Sequence, residues 1–374
     1  IDADDSNKGK AVVGTVSGTS ISWGSPATFN AGTTEGTNVT FDPNTPGKFV
    51  VVYMDSGNSN NGTARIGLIS GTTITFGGET VFSTDGYVDG GMASFDPNTQ
   101  GRFIIVSTSN ANPDKVWLGT SGSGSTITFS SGVSFGNSAF SNPSVAFDPY
   151  IANQFVVTYG DNDNNRYGTV KVGTIHPTTS AITFGSAYVF HQVTNSKVCV
   201  TNIAFDPFTQ GRFVIVISKQ QGTSSVRKGH AYVGTIASTG VISYGDNEEF
   251  HSANLMSEQL RLSFVPNMVD RFLIVVKTSN GDGLLVFGEL KNGIWIPIDT
   301  AGLTFGNNGT RLQFKNSGTA LTSEATTATT NIGDDSSGNG HNFAVLGYVV
   351  SDVVPDNPEN NFCNLSEVAN VNGA

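Results

Sequence analysis

Short apolar runs separated by polar loops recur along the chain. "GKFVVVY" (Gly47 to Tyr53), "GRFIIVS" (Gly101 to Ser107), "NQFVVTY" (Asn153 to Tyr159), "GRFVIVI" (Gly211 to Ile217) and "DRFLIVV" (Asp270 to Val276) form one series. A second series follows each of them after a loop: "ARIGLIS", "KVWLGTS", "VKVGTIH", "AYVGTIA" and "LLVFGEL". A third, "TITFG", "TITFS", "AITFG", "VISYG" and the degenerate "IWIPI", closes each unit. Runs of this length, rich in Val, Ile and Phe and bounded by Gly, Asp, Asn and Pro, predict β-strands. Helical periodicity is nearly absent.

Each unit opens on a marker: "FDPN" at Phe41 and Phe95, "FDPY" at Phe147, "FDPF" at Phe205 and "FVPN" at Phe264, at intervals of 54, 52, 58 and 59 residues. Proline fixes φ and Asp or Asn caps its own backbone, so each marker reads as a corner between antiparallel strands. Units of about four short strands at this period predict an all-β β-propeller. The residues from Asp2 to Asn30 match only the latter half of a unit, Asp2 aligning with Asp55, Ala11 with Ala64 and Gly14 with Gly67. "TRLQFKN" (from Thr310) and "HNFAVLGYV" (from His341) resemble the missing first half. The expectation is six four-stranded blades over residues 1–352, the two termini completing one blade, with a polar insertion near 317–340 and an irregular tail over 353–374. "AVLGYVV" also resembles the third-strand motif "AVVGTVS", and that reading raises the count toward seven.

The composition narrows the chemistry. Thirty acidic residues against 19 Lys and Arg give a formal charge of -11, which argues against a general nucleic-acid or anionic-membrane surface. No apolar run is long enough for a membrane helix, so membrane insertion is not expected. Cys199 and Cys363 form either one long-range disulfide or two free thiols. Asn38, Asn61, Asn308 and Asn364 each begin an N-x-Ser/Thr sequon, which permits glycosylation in a secreted eukaryotic protein.

The polar loop between the first two series carries the most suggestive pattern. Asp55, Ser59 and Asn61 precede Gly62; Asp2, Asp4 and Ser6 precede Gly9; Asp161, Asp163 and Asn165 precede Gly168. Alternating oxygen ligands followed by glycine resemble the start of a calcium loop, which nominates Asp2, Asp4, Asp55, Asp161, Asp163 and Asn165 as metal ligands and calcium as the cofactor. The same residues also build long hairpin connections through Asx-turns and positive φ. The third, fifth and sixth copies, "TSNANPDK", "KQQGTSSVRKG" and "TSNGDG", lack the alternating carboxylates.

For ligand contact, Arg261 and Arg311 align near the start of inner strands, and Trp117 and Trp295 break the repeat pattern. The recurring aromatics Trp23, Phe76, Phe129, Phe184 and Tyr244 sit at one fixed position and are expected to fill space between blades. Asp85, Asp89 and Glu258 are too irregularly placed to define a glycosidase pair. No nucleophile elbow, phosphate loop or clustered His motif occurs in a fitting context.

The units, most clearly Tyr53 to Gly77 and Asp2 to Gly24, follow "YxDxGNSxxGTAxVGTxSGTxIxFG". This resembles repeat modules of uncharacterised surface and tail-fibre-like proteins of marine bacteria and their phages. The resemblance implies an extracellular or particle-surface setting and carries over no catalytic residues. The expected function is a surface-displayed propeller that binds a glycan or another surface polymer without turnover. The alternatives are a structural or adhesive protein that self-associates through blade edges and loops, and a polysaccharide-active enzyme.

Overall fold

The computed structural model describes residues 3–297 apart from 19, 86–91, 109–112, 138–141, 194–195, 223–225, 238–239, 253–254, 279–282 and 292–293. The chain divides into two compact units, Ile1–Ile298 and Asp299–Ala374, and all described strands lie in the first. The insertion near 317–340, the tail over 353–374, Arg311 and Cys363 lie outside the described residues.

Five antiparallel sheets follow one another. The first contains Lys8–Ala11, Ala27–Phe41, Lys48–Asp55, Asn61–Ser70 and Thr73–Phe76, with Thr80–Ser83 continuing beside Asn61–Ser70. The second runs Met92–Phe95, Arg102–Ser107, Asp114–Thr120 and Thr128–Phe129, with Val133–Gly136 again beside the third strand. Three four-stranded sheets complete the series: Ser144–Phe147 to Ile182–His191, Ser196–Phe205 to Ile242–His251, and Leu255–Phe264 to Ile294–Pro297. Gly14–Ser17 and Ser20–Trp23 form a separate two-stranded hairpin.

Among the described residues the architecture is thus an all-β propeller of five blades, which corrects the expected six and the alternative of seven. The difference arises at the amino terminus. Ala27–Phe41 is one unbroken strand of 15 residues. Its first part pairs with Lys8–Ala11 and its second with Lys48–Asp55, so the Lys8–Ala11 strand of the expected half-blade is hydrogen-bonded into the first sheet. The two C-terminal strands expected to complete it lie outside the described residues.

The second strand of each of the first four blades is buried on both faces over its apolar run, which is why that run is continuously apolar rather than alternating; every residue of Lys48–Asp55 is buried, whereas burial alternates along Arg271–Thr278 in the fifth. The first four blades also set two aromatics edge-on: Phe49 against Phe76 (5.8 Å), Phe103 against Phe129 (5.9 Å), Phe155 against Phe184 (5.7 Å) and Phe213 against Tyr244 (6.2 Å). Phe76, Phe129, Phe184 and Tyr244 are half-buried and pack against the hydrophobic cores, the space-filling role expected of them, whereas Trp23 is 65% exposed on the hairpin. The glycine of the third strand makes room for these rings. A Cβ on Gly67, Gly119, Gly173 or Gly234 would lie 2.1 to 2.4 Å from the facing Phe ring. Burying one such ring contributes about 1.5–3 kcal/mol.

The corners lock neighbouring blades together. Asp42, Asp96, Asp148 and Asp206 are all buried. Each accepts a backbone N–H two residues on, from Asn44, Asn98, Tyr150 or Phe208, the turn chemistry read from the marker. The fourth marker residue then reaches the next blade: Asn44 donates to the Asp96 carbonyl at 2.9 Å and Tyr150 to the Pro207 carbonyl at 2.9 Å. Asp42 also accepts from the backbone N–H of Gly101.

Candidate functional site

Three kinds of position could meet a ligand: the loops between second and third strands, the joints between blades, and the surface over the first blade.

The loops carry the metal candidates. Ala3–Asp5, Ser56–Asn58 and Asn162–Asn164 are one-turn 3-10 helices. Each is followed by two left-handed residues, Ser6 and Asn7, Ser59 and Asn60, Asn165 and Arg166. Asp55 and Asp161 cap the second and third of these turns, accepting from the backbone N–H of Gly57 (3.0 Å) and Asp163 (3.2 Å). The buried Asp55 carboxylate also accepts from Asn30 at 3.2 Å, and Asp163 accepts from Asn137 at 3.1 Å. Burial raises the pKa of Asp161 above the usual carboxylate range. Asp4 lies within the first turn, and Asp2 lies outside the described residues. Among the described residues, no three His, Cys, Asp or Glu side chains converge as a metal site. The alternating spacing is accounted for by turn geometry: a capping carboxylate, a turn and a left-handed pair.

The joints explain Trp117. Two residues before the third-strand glycine stand Arg65, Trp117, Lys171 and Tyr232. Trp117, Lys171 and Tyr232 each reach the phenylalanine that ends the preceding blade, and Arg65 reaches Phe29, in the first part of Ala27–Phe41. Arg65 Nη1 donates to the Phe29 carbonyl at 2.6 Å, and Lys171 Nζ to the Phe135 carbonyl at 2.6 Å. Trp117 packs edge-on against Phe82 at 5.1 Å, and Tyr232 against Phe190 at 5.1 Å. Trp117 is only 5% exposed. It is a core residue and offers no surface to a ligand, which corrects its nomination as a binding residue.

Arg261 lies on the inner strand of the fifth blade, three residues before the marker Phe264. Residues at this register elsewhere accept a backbone N–H from the next blade: Asn38 from Ala93 (3.1 Å), Ser144 from Ile203 (3.2 Å) and Asn202 from Leu262 (3.1 Å). A guanidinium has no acceptor, so Arg261 cannot take part and donates to the Leu260 carbonyl at 2.9 Å instead. Its side chain keeps surface open to solvent, while the surrounding protein lowers its pKa by desolvation. Trp295 lies in the strand Ile294–Pro297, opposite Leu290.

Sequence reasoning missed a buried polar network at the joint of the third and fourth blades. His191, aligned with Asn30, accepts or donates at both ring nitrogens, to Tyr232 Oη at 2.6 Å and Ser196 Oγ at 3.0 Å. His230 meets Asn247 at 3.0 Å and Glu249 at 3.3 Å. The pKa values of both histidines fall to about 4, chiefly by burial and then by the Lys219 charge. Ser196, His191 and Tyr232 have the order of a nucleophile, base and orienting group, but all three are shut away from solvent. Cys199, on the adjoining inner strand, is a free, buried thiol.

Over the face of the first blade lies a cavity of about 440 Å³, lined by Lys10, Val12, Phe29, Thr37, Val39 and Phe41 among others. Phe41 is 57% exposed there, whereas the corresponding Phe95, Phe147, Phe205 and Phe264 are at most 8% exposed.

The fold defines the class, a β-propeller. No family model matches the chain, and no curated protein matches it. Among solved structures it is similar to a protein from Lactobacillus plantarum, with a TM-score of 0.55, 11% identity and 78% of each chain covered. It is also similar to the BP39L lectin from Burkholderia pseudomallei, with a TM-score of 0.53, 13% identity and 78% of each chain covered. At these identities the likeness is one of fold.

Proposed function

We propose that this chain is a binding propeller, displayed outside the cell or on a particle surface, that recognises a glycan or another surface polymer without turnover. The observation that carries this reading is Phe41. An aromatic ring buried at every other corner is here open and faces a cavity bordered by Lys10 and Thr37. A saccharide ring presents an apolar face and a hydroxyl rim, and an open aromatic beside polar groups complements both. The propeller fold shared with a protein described as a lectin agrees with the reading.

A glycan-array screen of the monodisperse protein, run with 1 mM calcium and again with excess EDTA, tests it. Selective binding that Phe41→Ala abolishes is the expected result. Binding lost in EDTA would bring the loop carboxylates Asp55 and Asp161 back as metal ligands. An array with no selective signal in either condition overturns the reading.

The hairpin favours a second reading, self-association. Val16, Ile21 and Trp23 are 71%, 52% and 65% exposed on its two strands, an apolar surface of the kind that marks protein contacts. Sedimentation over a range of protein concentrations decides it, with Trp23→Ser as the control. A monomer at every concentration excludes this mode.

A further inference from the structure

The joint of the third and fourth blades contains an arrangement that stability alone disfavours. On the antiparallel pair Arg212–Gln221 and Arg227–Ile236, Lys219 stands directly opposite Lys228. Side chains so paired share one face, and like charges there destabilise the sheet. The corresponding position in the first and third blades is an aspartate, Asp55 or Asp161, held by its own turn. In the fourth blade the charge is inverted.

The surroundings leave this positive charge incompletely answered. Glu249, on the neighbouring strand, faces Lys228 at 3.0 Å and His230 at 3.3 Å. No side-chain hydrogen bond or ion pair among the described residues holds the Lys219 ammonium, which is half-buried. Burial first, and Lys228 after it, lower the Lys219 pKa, with Glu249 opposing. Behind the lysines lie His230, 6% exposed, and His191. Two ammonium groups against one carboxylate, which already engages Lys228 and His230, leave room for one further negative charge. The chain as a whole carries -11, so this is a local reversal of sign.

We propose that the rim of this joint binds one oxyanion, a carboxylate or sulfate carried by a saccharide, with Lys219 and Lys228 as its charge partners. The proposal rests on the glycan-binding reading and refines it to acidic saccharides. Lysine serves as a point charge for such groups, and a partly desolvated pair holds them more strongly than a surface pair.

Calorimetric titration of the full chain tests it with four probes: sodium sulfate, a sulfated heparin tetrasaccharide, its desulfated counterpart (which keeps the uronates), and a neutral tetrasaccharide. The expected result is binding of the first two, with Lys219→Met weakening it about tenfold, the effect of losing one charge-assisted hydrogen bond. Lys219→Met also removes a repulsion, so it is expected to melt at or above the wild-type temperature; this separates loss of a ligand site from loss of fold. Binding of the desulfated tetrasaccharide would assign the site to carboxylates, and its absence to sulfates. Sulfate also stabilises proteins by exclusion from their surface, so the wild type must gain more melting temperature in sulfate than Lys219→Met does.

Equal gains, together with saccharide binding indifferent to Lys219→Met and Lys228→Gln, overturn the proposal. Binding of the neutral tetrasaccharide alone would do the same while leaving the glycan reading intact. Sulfate binding that depends on Lys219, with no saccharide bound, would retain the anion site and remove the glycan reading.

Discussion

Arg212 and Asp270 join two consecutive blades across 58 residues of sequence. Arg212 donates through Nε to the buried Asp206 of its own corner at 2.6 Å, and its guanidinium also bonds Asp270 at the next corner. The same clasp recurs one blade pair earlier, where Arg102 holds Asp96 at 2.7 Å and Asn153 at 2.7 Å. Asn153 and Asp270 stand where the other corners carry Gly47, Gly101 and Gly211, and all five residues have positive φ. Asn and Asp tolerate that backbone, and here they add an acceptor for the preceding arginine. Replacing Arg212 by Ala leaves the Asp206 carboxylate buried without its cation and is expected to cost about 3–5 kcal/mol. Urea denaturation measures it; a loss below 1 kcal/mol would show the clasp to be incidental.

The third blade lacks this cation. Gln154 stands where the other corners have Lys or Arg, and both Asp148 Oδ2 and Gln154 Oε1 are buried without a hydrogen-bond partner. Gln154→Arg is expected to stabilise the protein by about 1–3 kcal/mol, the cost of an unsatisfied buried acceptor. An unchanged or lowered melting temperature would mean that the corner cannot admit a guanidinium.

Gly119 faces Phe103 so closely that a Cβ would lie 2.4 Å from the ring. Gly119→Ala should therefore destabilise by about 1–3 kcal/mol through overpacking. Combining it with Phe103→Leu should cost less than the sum of the two single changes, because both act on one contact. Strict additivity in a double-mutant cycle would refute the steric account.

Trp117 should behave as core. Trp117→Ala is expected to cost about 3–5 kcal/mol without altering ligand affinity in the protein that remains folded. A selective loss of binding at unchanged stability would return Trp117 to the site.

Acid should weaken the joint of the third and fourth blades. His191 titrates at about 4 when folded, against 6.5 for the free group. Between those values the unfolded chain binds the extra proton, so stability is fully present above pH 6.5 and falls as pH drops toward 4. The groups facing the ring are Tyr232, Ser196, Lys219 and His230. The loss attributable to His191 should reach roughly 2–3 kcal/mol at pH 4, and His191→Asn, the residue of the first blade, should remove that share. Parallel pH profiles for both proteins would assign the acid sensitivity elsewhere.

The repeat, its corners and the packing role of the fourth-strand aromatics other than Trp23 are legible in the chain alone. These follow from local rules: proline and aspartate make the turn, apolar runs make strands buried on both faces, and glycine leaves space for a ring at a fixed offset. The loop pattern at Asp55 and Asp161 was legible too, but as two chemistries, since capping a turn and ligating calcium require the same oxygens; the hydrogen bonds to Gly57 and Asn30 show where the Asp55 carboxylate points. Trp117 looked exceptional only because its aligned positions, Arg65 and Lys171, are cations; Trp117 and Lys171 both span a joint that exists once blades are side by side. The burial of His191 is not legible in the chain, because its partner Tyr232 comes from another blade. Only the tertiary structure decided the pairing of Lys8–Ala11 with Ala27–Phe41, and with it the blade count. Hydrogen-bond partners of a strand edge are chosen by what stands beside it in space, which a repeat of local motifs does not specify.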